Sequence, residues 1–193
     1  IAKYYKKKLP IVLLTKGLAV QNDELITLSE KIDNLLKEKG HKDINISAIK
    51  GPCLATGLAN KMRTGAVIAN PDIKEAQFLK KIISTEYYST EISDDLDGIE
   101  LSGAIKNIYS MLIGASEGLS SSNVNKDIKS KYYLNTAASL MYKAISEMVY
   151  FTKSLKGREE SVYGLSGLGD LYVSSAGGRN SKMGKYLGEG YDY

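Results

Sequence analysis

Two clusters in the chain hold the residue types that acid–base and anion-binding chemistry require. In Gly98-Ile-Glu-Leu-Ser-Gly-Ala-Ile-Lys-Asn107 a lysine stands beside an amide, about one helical turn after Gly103. Helical spacing puts Gly103, Lys106, Asn107 and Ser110 on one face, apart from an apolar stripe of Leu101, Ile105, Ile108 and Leu112. Glycine on that face costs about 1 kcal/mol of helix propensity relative to alanine and lets a ligand or a neighbouring domain approach the backbone. A lysine ammonium so placed can protonate and stabilise an oxyanion as it forms. A solvated lysine beside a packing glycine satisfies the same spacing, because most helical lysines face water.

The second cluster is Gly167-Leu-Gly-Asp170 followed by Gly177-Gly-Arg-Asn180. Asp170 can hold an ammonium through a charge-assisted hydrogen bond, or cap a helix start. Ser174 can donate or accept nearby, but His41 is the sole histidine and lies in a polar turn, which argues against serine hydrolase chemistry. Gly177, Gly178, Arg179 and Asn180 combine close backbone access, a forked guanidinium and a helix start, the materials of a phosphate clamp. A helix-start turn with an exposed arginine uses the same residues. Lys182 and Lys185 read as surface charges. Lys16, in Thr15-Lys-Gly17, follows an apolar strand, and ligands of open α/β sheets gather beyond the carboxyl ends of strands.

Periodicity indicates the elements that must position these groups. Ile11-Val-Leu-Leu14 predicts a strand, and Leu25, Leu28, Ile32 and Leu35 predict a helix closed by Gly40. Ile44-Asn-Ile46 and the stretch from Tyr88 to Ile92 predict further strands. Between them Asn70-Pro71 marks a helix start, with Asn as cap and Ala76, Leu79 and Ile83 as the buried stripe. Such alternation implies an α/β unit with a mainly parallel sheet over residues 1–95. From 96 to 193 long helices take over, the second carrying Leu134, Ala138, Met141, Ile145 and Met148 and ending before Gly157. The serine-rich stretch from Gly118 to Asn123 reads as a connector. The expected fold class is α/β followed by all-α, without internal repeats.

Composition narrows the function classes. With 43% hydrophobic and 25% charged residues, 193 residues suffice for one or two small domains. No apolar run reaches bilayer-spanning length and the first residues lack a signal-peptide pattern, so a cytoplasmic location without membrane insertion is expected. A single cysteine, Cys53, excludes an internal disulfide, and with His41 alone beside it no metal site is implied. The net charge of +4 suits an anionic small ligand; no aromatic–basic ribbon accompanies it, so a nucleic-acid partner is not expected.

The two clusters resemble the signature of the NAD(P)-dependent glycerol-3-phosphate dehydrogenase family. That signature reads G-[VI]-E-L-x-G-A-[LIV]-K-N, then G-x-G-D-L and [ST]-x-x-x-G-R-N, and the chain carries these in the same order at similar spacing. The resemblance runs from about Leu14 to the end and covers the middle of the family's sequence. It implies the distal half of a Rossmann-type domain joined to part of a helical domain like the C-terminal domain of 6-phosphogluconate dehydrogenase. It implies interconversion of sn-glycerol 3-phosphate and dihydroxyacetone phosphate with NAD or NADP, in glycerol and glycerophospholipid metabolism. Lys106 would be the acid/base; Lys16, Asn107, Asp170, Ser174, Arg179 and Asn180 would bind substrate, with Arg179 also meeting the cofactor. Family members are commonly dimeric, so a homodimer is among the expectations.

No G-x-G-x-x-G turn follows an opening strand. Gly164-Leu-Ser-Gly-Leu-Gly169 has the wrong spacing and reads as a packing and turn element. The chain, which begins at Ile1, is therefore expected to be a fragment lacking the glycine-rich half and the C-terminal end, and a poor catalyst alone. Gly51-Pro-Cys-Leu-Ala-Thr56 departs from the family's Gly-Pro-[Asn/Ser]-[Phe/Ile/Leu]-Ala-x-Glu at Cys53 and at the Thr56-Gly57 pair. Two other readings stay open: a related dehydrogenase of another small hydroxy acid or phosphate, and a non-catalytic helical assembly module.

Overall fold

The computed structural model describes residues 3–5, 9–122 and 133–192. A four-stranded sheet runs in the order β1 (Ile11–Leu13), β4 (Ile46–Lys50), β5 (Thr64–Ala69) and β6 (Tyr88–Ser93). β1 pairs with β4 and β5 with β6 in parallel, while β4 and β5 are antiparallel. Side-chain alternation along β5 explains the layering. Ala66 and Ile68 face α3 (Ile73–Ile83), where Ile49, Ala76 and Leu79 complete a core; Val67 and Ala69 face the other way, onto Ile99, Leu96 and Leu165.

Between β1 and β4 lies a hairpin in place of the early helix start that Leu25 suggests. β2 (Leu18–Gln21) and β3 (Glu24–Thr27) pair antiparallel around Asn22 and Asp23, whose φ angles are 53° and 63°. Two successive left-handed residues give the turn whose twist matches the flanking strands. α1 (Leu28–Glu38) starts only at Leu28, capped by the Thr27 side chain, and closes through Gly40 as expected. The expected cap of α3 also moves: Asp72 accepts from the Lys74 amide, while the Asn70 amide group is buried against Asn45, Ile46 and Ser47. A short helix α2 (Ala55–Ala59) follows the Gly51-Pro52 turn.

The helical part begins with α4 (Leu96–Ser122), which continues through Gly118–Ser122; that segment is therefore helix, and Asn123 lies outside the described residues. Then come α5 (Tyr133–Ser154), α6 (Glu159–Tyr163), a π-helical turn (Leu165–Gly169), α7 (Asp170–Gly177) and α8 (Arg179–Gly188). α5 ends before Gly157 and packs Met141, Ile145 and Met148 inward, but Leu134 and Ala138 at its start are exposed. The α4 stripe also departs from expectation. Leu101 is fully buried, yet Ile108 and Leu112 are 57% and 46% exposed, while Ser102, Lys106 and Ser110 are inside. α4 is a central helix with neighbours on several sides, and polar and small residues face them.

One of those contacts sets the spacing of the site. Gly114 and Gly118 on α4 cross Gly184 and Gly188 on α8, so the two backbones meet. A Cβ at Gly114 would lie 2.0 Å from the Ser181 carbonyl oxygen, and one at Gly184 would lie 1.9 Å from that of Met111. The Lys185 ammonium adds a 2.6 Å ion pair to Glu117 across the same crossing.

Candidate active site

Residues far apart in sequence meet beyond the carboxyl ends of β1 and β4. The π-helical turn carries the chain into α7 with Asp170 as its first residue. There the positive end of the helix dipole favours a carboxylate. The Asp170 side chain makes no backbone cap; both of its oxygens go to lysines. Oδ1 accepts from Lys106 Nζ at 2.9 Å, and Oδ2 accepts from Lys16 Nζ. The Lys106 ammonium also donates to Ser174 Oγ, one turn along α7.

Lys106 and Asp170 are each 4% exposed in their side chains, whereas Lys16 keeps 29%. Burial lowers the Lys106 pKa below the ordinary lysine value; the Asp170 carboxylate opposes that shift and the Lys16 ammonium adds to it. The group is thus a buried ammonium that releases its proton more readily than a solvated lysine. A solvated helical lysine, the alternative reading of the motif, is not what the fold contains.

A cavity of about 470 Å³ opens over this pair, within the range of about 300–1,000 Å³ common for small-molecule sites. Lys16, Lys106, Asn107, Asp170, Ser174, Arg179 and Asn180 all line it, so every candidate site residue named from the sequence converges there. Arg179 opens α8 behind Gly178 and is exposed, ready to meet an anion; Asn180 is half-buried beside it. The Ser110 hydroxyl donates to the backbone carbonyl oxygen of Asn107 at 2.9 Å.

Leu14, Leu54, Cys53 and Val173 add an apolar wall. Only Cys53 was singled out from the sequence, as a departure within its loop; Thr56 and Gly57 in α2 do not line the cavity. A larger cavity of about 640 Å³ at the other end of the sheet is edged by Glu30, Asp33, Asp72, Glu75 and Asp97. Its carboxylates would repel an anion, so the smaller cavity is the better site for one.

The Gly103 notch is filled from within the chain. The methylenes of Lys50, the last residue of β4, lie where a Gly103 Cβ would sit 3.4 Å from Lys50 Cγ and Cδ. A lysine inside a strand carries no motif, so nothing in the sequence signals this contact.

Among the described residues no helix is long and apolar enough to cross a membrane, and no group of acidic, His and Cys side chains could hold a metal ion.

Comparison with known proteins agrees with the geometry. The family models of the NAD-dependent glycerol-3-phosphate dehydrogenase N-terminus and C-terminus match residues 1–76 and 95–193. The chain is 34% identical over 186 residues to an NADP(+)-dependent glycerol-3-phosphate dehydrogenase of Archaeoglobus fulgidus, covering 96% of this chain and 53% of the relative. It is 31% identical to a glycerol-3-phosphate dehydrogenase [NAD(P)+] of Syntrophotalea carbinolica, over 93% of this chain and 50% of that one. The crystal structure of the Coxiella burnetii glycerol-3-phosphate dehydrogenase superposes with a TM-score of 0.84 at 28% identity, over 99% of this chain and 54% of that one. The chain spans about half the length of the curated relatives it matches. Sheet and helices correspond to the distal part of a Rossmann-type domain joined to a helical domain. The chain belongs to the NAD-dependent glycerol-3-phosphate dehydrogenase family.

Proposed function

We propose that the protein of which this chain forms the site interconverts dihydroxyacetone phosphate and sn-glycerol 3-phosphate with NADH or NADPH. The observation that carries this reading is the Lys106 ammonium, buried against Asp170 and Ser174 and facing a cavity edged by Arg179 and Asn180. The residues present fit the reactive end of a nicotinamide cofactor: an apolar wall of Leu14, Leu54 and Val173 stands beside the polar groups, with Arg179 at the rim. The glycine-rich turn that cradles a pyrophosphate is not among the residues of this chain. When bound, the cofactor supplies a hydride to the ketone carbon.

The chain's own groups handle charge and protons. Arg179 and Asn180 hold the substrate phosphate at the α8 N-terminus. Lys16 and Asn107 direct the carbonyl toward Lys106. Nζ of Lys106 then donates its proton to the oxygen that becomes the hydroxyl, leaving a neutral amine that solvent reprotonates. Asp170 and Ser174 keep that nitrogen aimed, and in the reverse direction the neutral amine takes the hydroxyl proton. The division into a sheet part over 1–95 and a helical part over 96–193, a cytoplasmic location and a homodimer belong to the same reading.

Turnover of dihydroxyacetone phosphate with each cofactor, in full-length wild type, Lys106→Met and Arg179→Ala, tests it. Lys106→Met should lose nearly all activity, on the order of a hundredfold or more, as expected for removing general acid catalysis. Arg179→Ala should raise KM for the phosphorylated substrate. Full activity in a folded Lys106→Met protein would defeat the assignment.

A further inference from the structure

Lys50 is 2% exposed, carries a charge into the interior, and has no part in the chemistry above. Burying an ammonium is costly unless its protons find partners. Those partners are backbone carbonyls of the segment that presents Lys16: Nζ donates to the Thr15 oxygen at 2.7 Å and to the Leu13 oxygen at 3.3 Å.

The pairing register shows why a side chain is needed there. β1 and β4 are matched Ile11 with Ile46, Val12 with Ser47 and Leu13 with Ala48, and the ladder stops at that point. Continued by two residues, it would set Thr15 opposite Lys50, whose backbone pairs with Val67 of β5 on the other edge of the strand. The Lys50 side chain spans the gap that the ladder leaves. Its stem is braced from the other side by α4 at Gly103, one turn before Lys106.

We propose that Lys50 is a positioning residue: it ties the Thr15-Lys16-Gly17 turn to the sheet so that the Lys16 ammonium meets Asp170 and, through it, Lys106. This rests on reading the cavity as the acid–base site. Burial lowers the Lys50 pKa, with the Glu100 carboxylate opposing the shift and Lys16 adding to it. The tether survives loss of that proton, because a neutral amine still donates hydrogen bonds.

The experiment combines amide exchange with a double-mutant cycle in the full-length protein. Lys50→Met keeps the stem in the Gly103 notch and removes the donors. Amide exchange across residues 14–18 should become about tenfold faster, the scale for a lost charge-assisted hydrogen bond, while residues 144–152 of α5 keep wild-type protection. Turnover of dihydroxyacetone phosphate should fall about tenfold in kcat/KM, and the same substitution in a Lys16→Met background should cost less than about twofold, because positioning acts through Lys16.

Lys50→Leu, which also lacks a donor, runs in parallel so that a poorly folded Met variant leaves the cycle measurable. Unchanged exchange at residues 14–18, or equal losses with and without Lys16, overturns the proposal. Absence of wild-type turnover would instead sink the dehydrogenase reading, and the exchange measurement would still decide the tether.

Discussion

Lys106 Nζ sits 2.9 Å from Asp170 Oδ1 across 64 residues of sequence, and the second Asp170 oxygen is taken by Lys16. One carboxylate, itself 4% exposed, therefore serves two cations. Removing its charge leaves two ammonium groups facing each other. Asp170→Asn should destabilise the fold by about 3–5 kcal/mol, the range for breaking a buried pair, read as a lower denaturant midpoint with an unchanged slope. A loss below measurement error would show that the ion pairs are not formed in solution.

The same substitution should move the pH profile. Asp170 opposes the fall of the Lys106 pKa, so without its charge that pKa drops further. Reduction needs the ammonium, so kcat/KM in that direction falls as pH rises through the Lys106 pKa. That limb should lie below the ordinary lysine value of about 10.4 in wild type and lower still in Asp170→Asn. An identical limb in both proteins would contradict the assigned proton donor.

Stability linkage gives an independent check. With a folded pKa below the unfolded one, Lys106 binds fewer protons folded than unfolded between the two values. Its burial thus costs stability in full below the folded pKa, and the cost is relieved as pH rises toward about 10.4. Lys106→Met should therefore melt no lower than wild type at neutral pH, with its advantage shrinking as pH increases. A clear loss of thermal stability in that variant would mean that the pairing outweighs the desolvation.

At the α4–α8 crossing two rules give opposite signs. Helix propensity predicts a gain of about 1 kcal/mol for Gly114→Ala, whereas a methyl 2.0 Å from the Ser181 carbonyl oxygen forces the helices apart. Overpacking of about 1–3 kcal/mol should win, lowering the chemical denaturation midpoint and weakening substrate binding through displacement of Arg179. Gly40→Ala loses a left-handed cap yet meets nothing within 4 Å, so it should weaken the fold without altering KM.

The β2–β3 turn offers a stabilising change. Asn22 and Asp23 both hold positive φ, and Asp23→Gly creates the Asn-Gly pair preferred there. A gain of about 0.5–1 kcal/mol is expected in equilibrium unfolding, the left-handed strain relieved less the entropy cost of glycine, with KM unchanged.

Local signals made the first strand, the Gly40 cap and the Tyr88–Ser93 strand readable, because short apolar runs and a left-handed glycine act over a few residues. The hairpin escaped because its turn lacks glycine and Leu25 and Leu28 happen to fall at helical spacing. The burial of α4 departs from its periodicity for a different reason. Periodicity assumes that the apolar face is the inner one, yet here Ser102, Lys106 and Ser110 are buried and Ile108 is exposed. Lys106, Asp170 and Arg179 were legible through a family signature, while Lys50 was not, since its role depends on carbonyl oxygens that come close only after β1 and β4 pair.

The pairing of Lys16 with Asp170 spans 154 residues, nearly the whole described chain. Contacts of such separation form late, after the entropy of closing the intervening loop has been met. The cluster of Lys16, Lys106 and Asp170 therefore cannot form on a partly made polypeptide. During synthesis Lys16 emerges long before Asp170, and Val67 and Ala69 of the sheet gain their cover only when Leu96, Ile99 and Leu165 follow. Only docking of the two parts brings Lys16, Lys106 and Asp170 together, so their pairing reports folding across nearly the whole described chain.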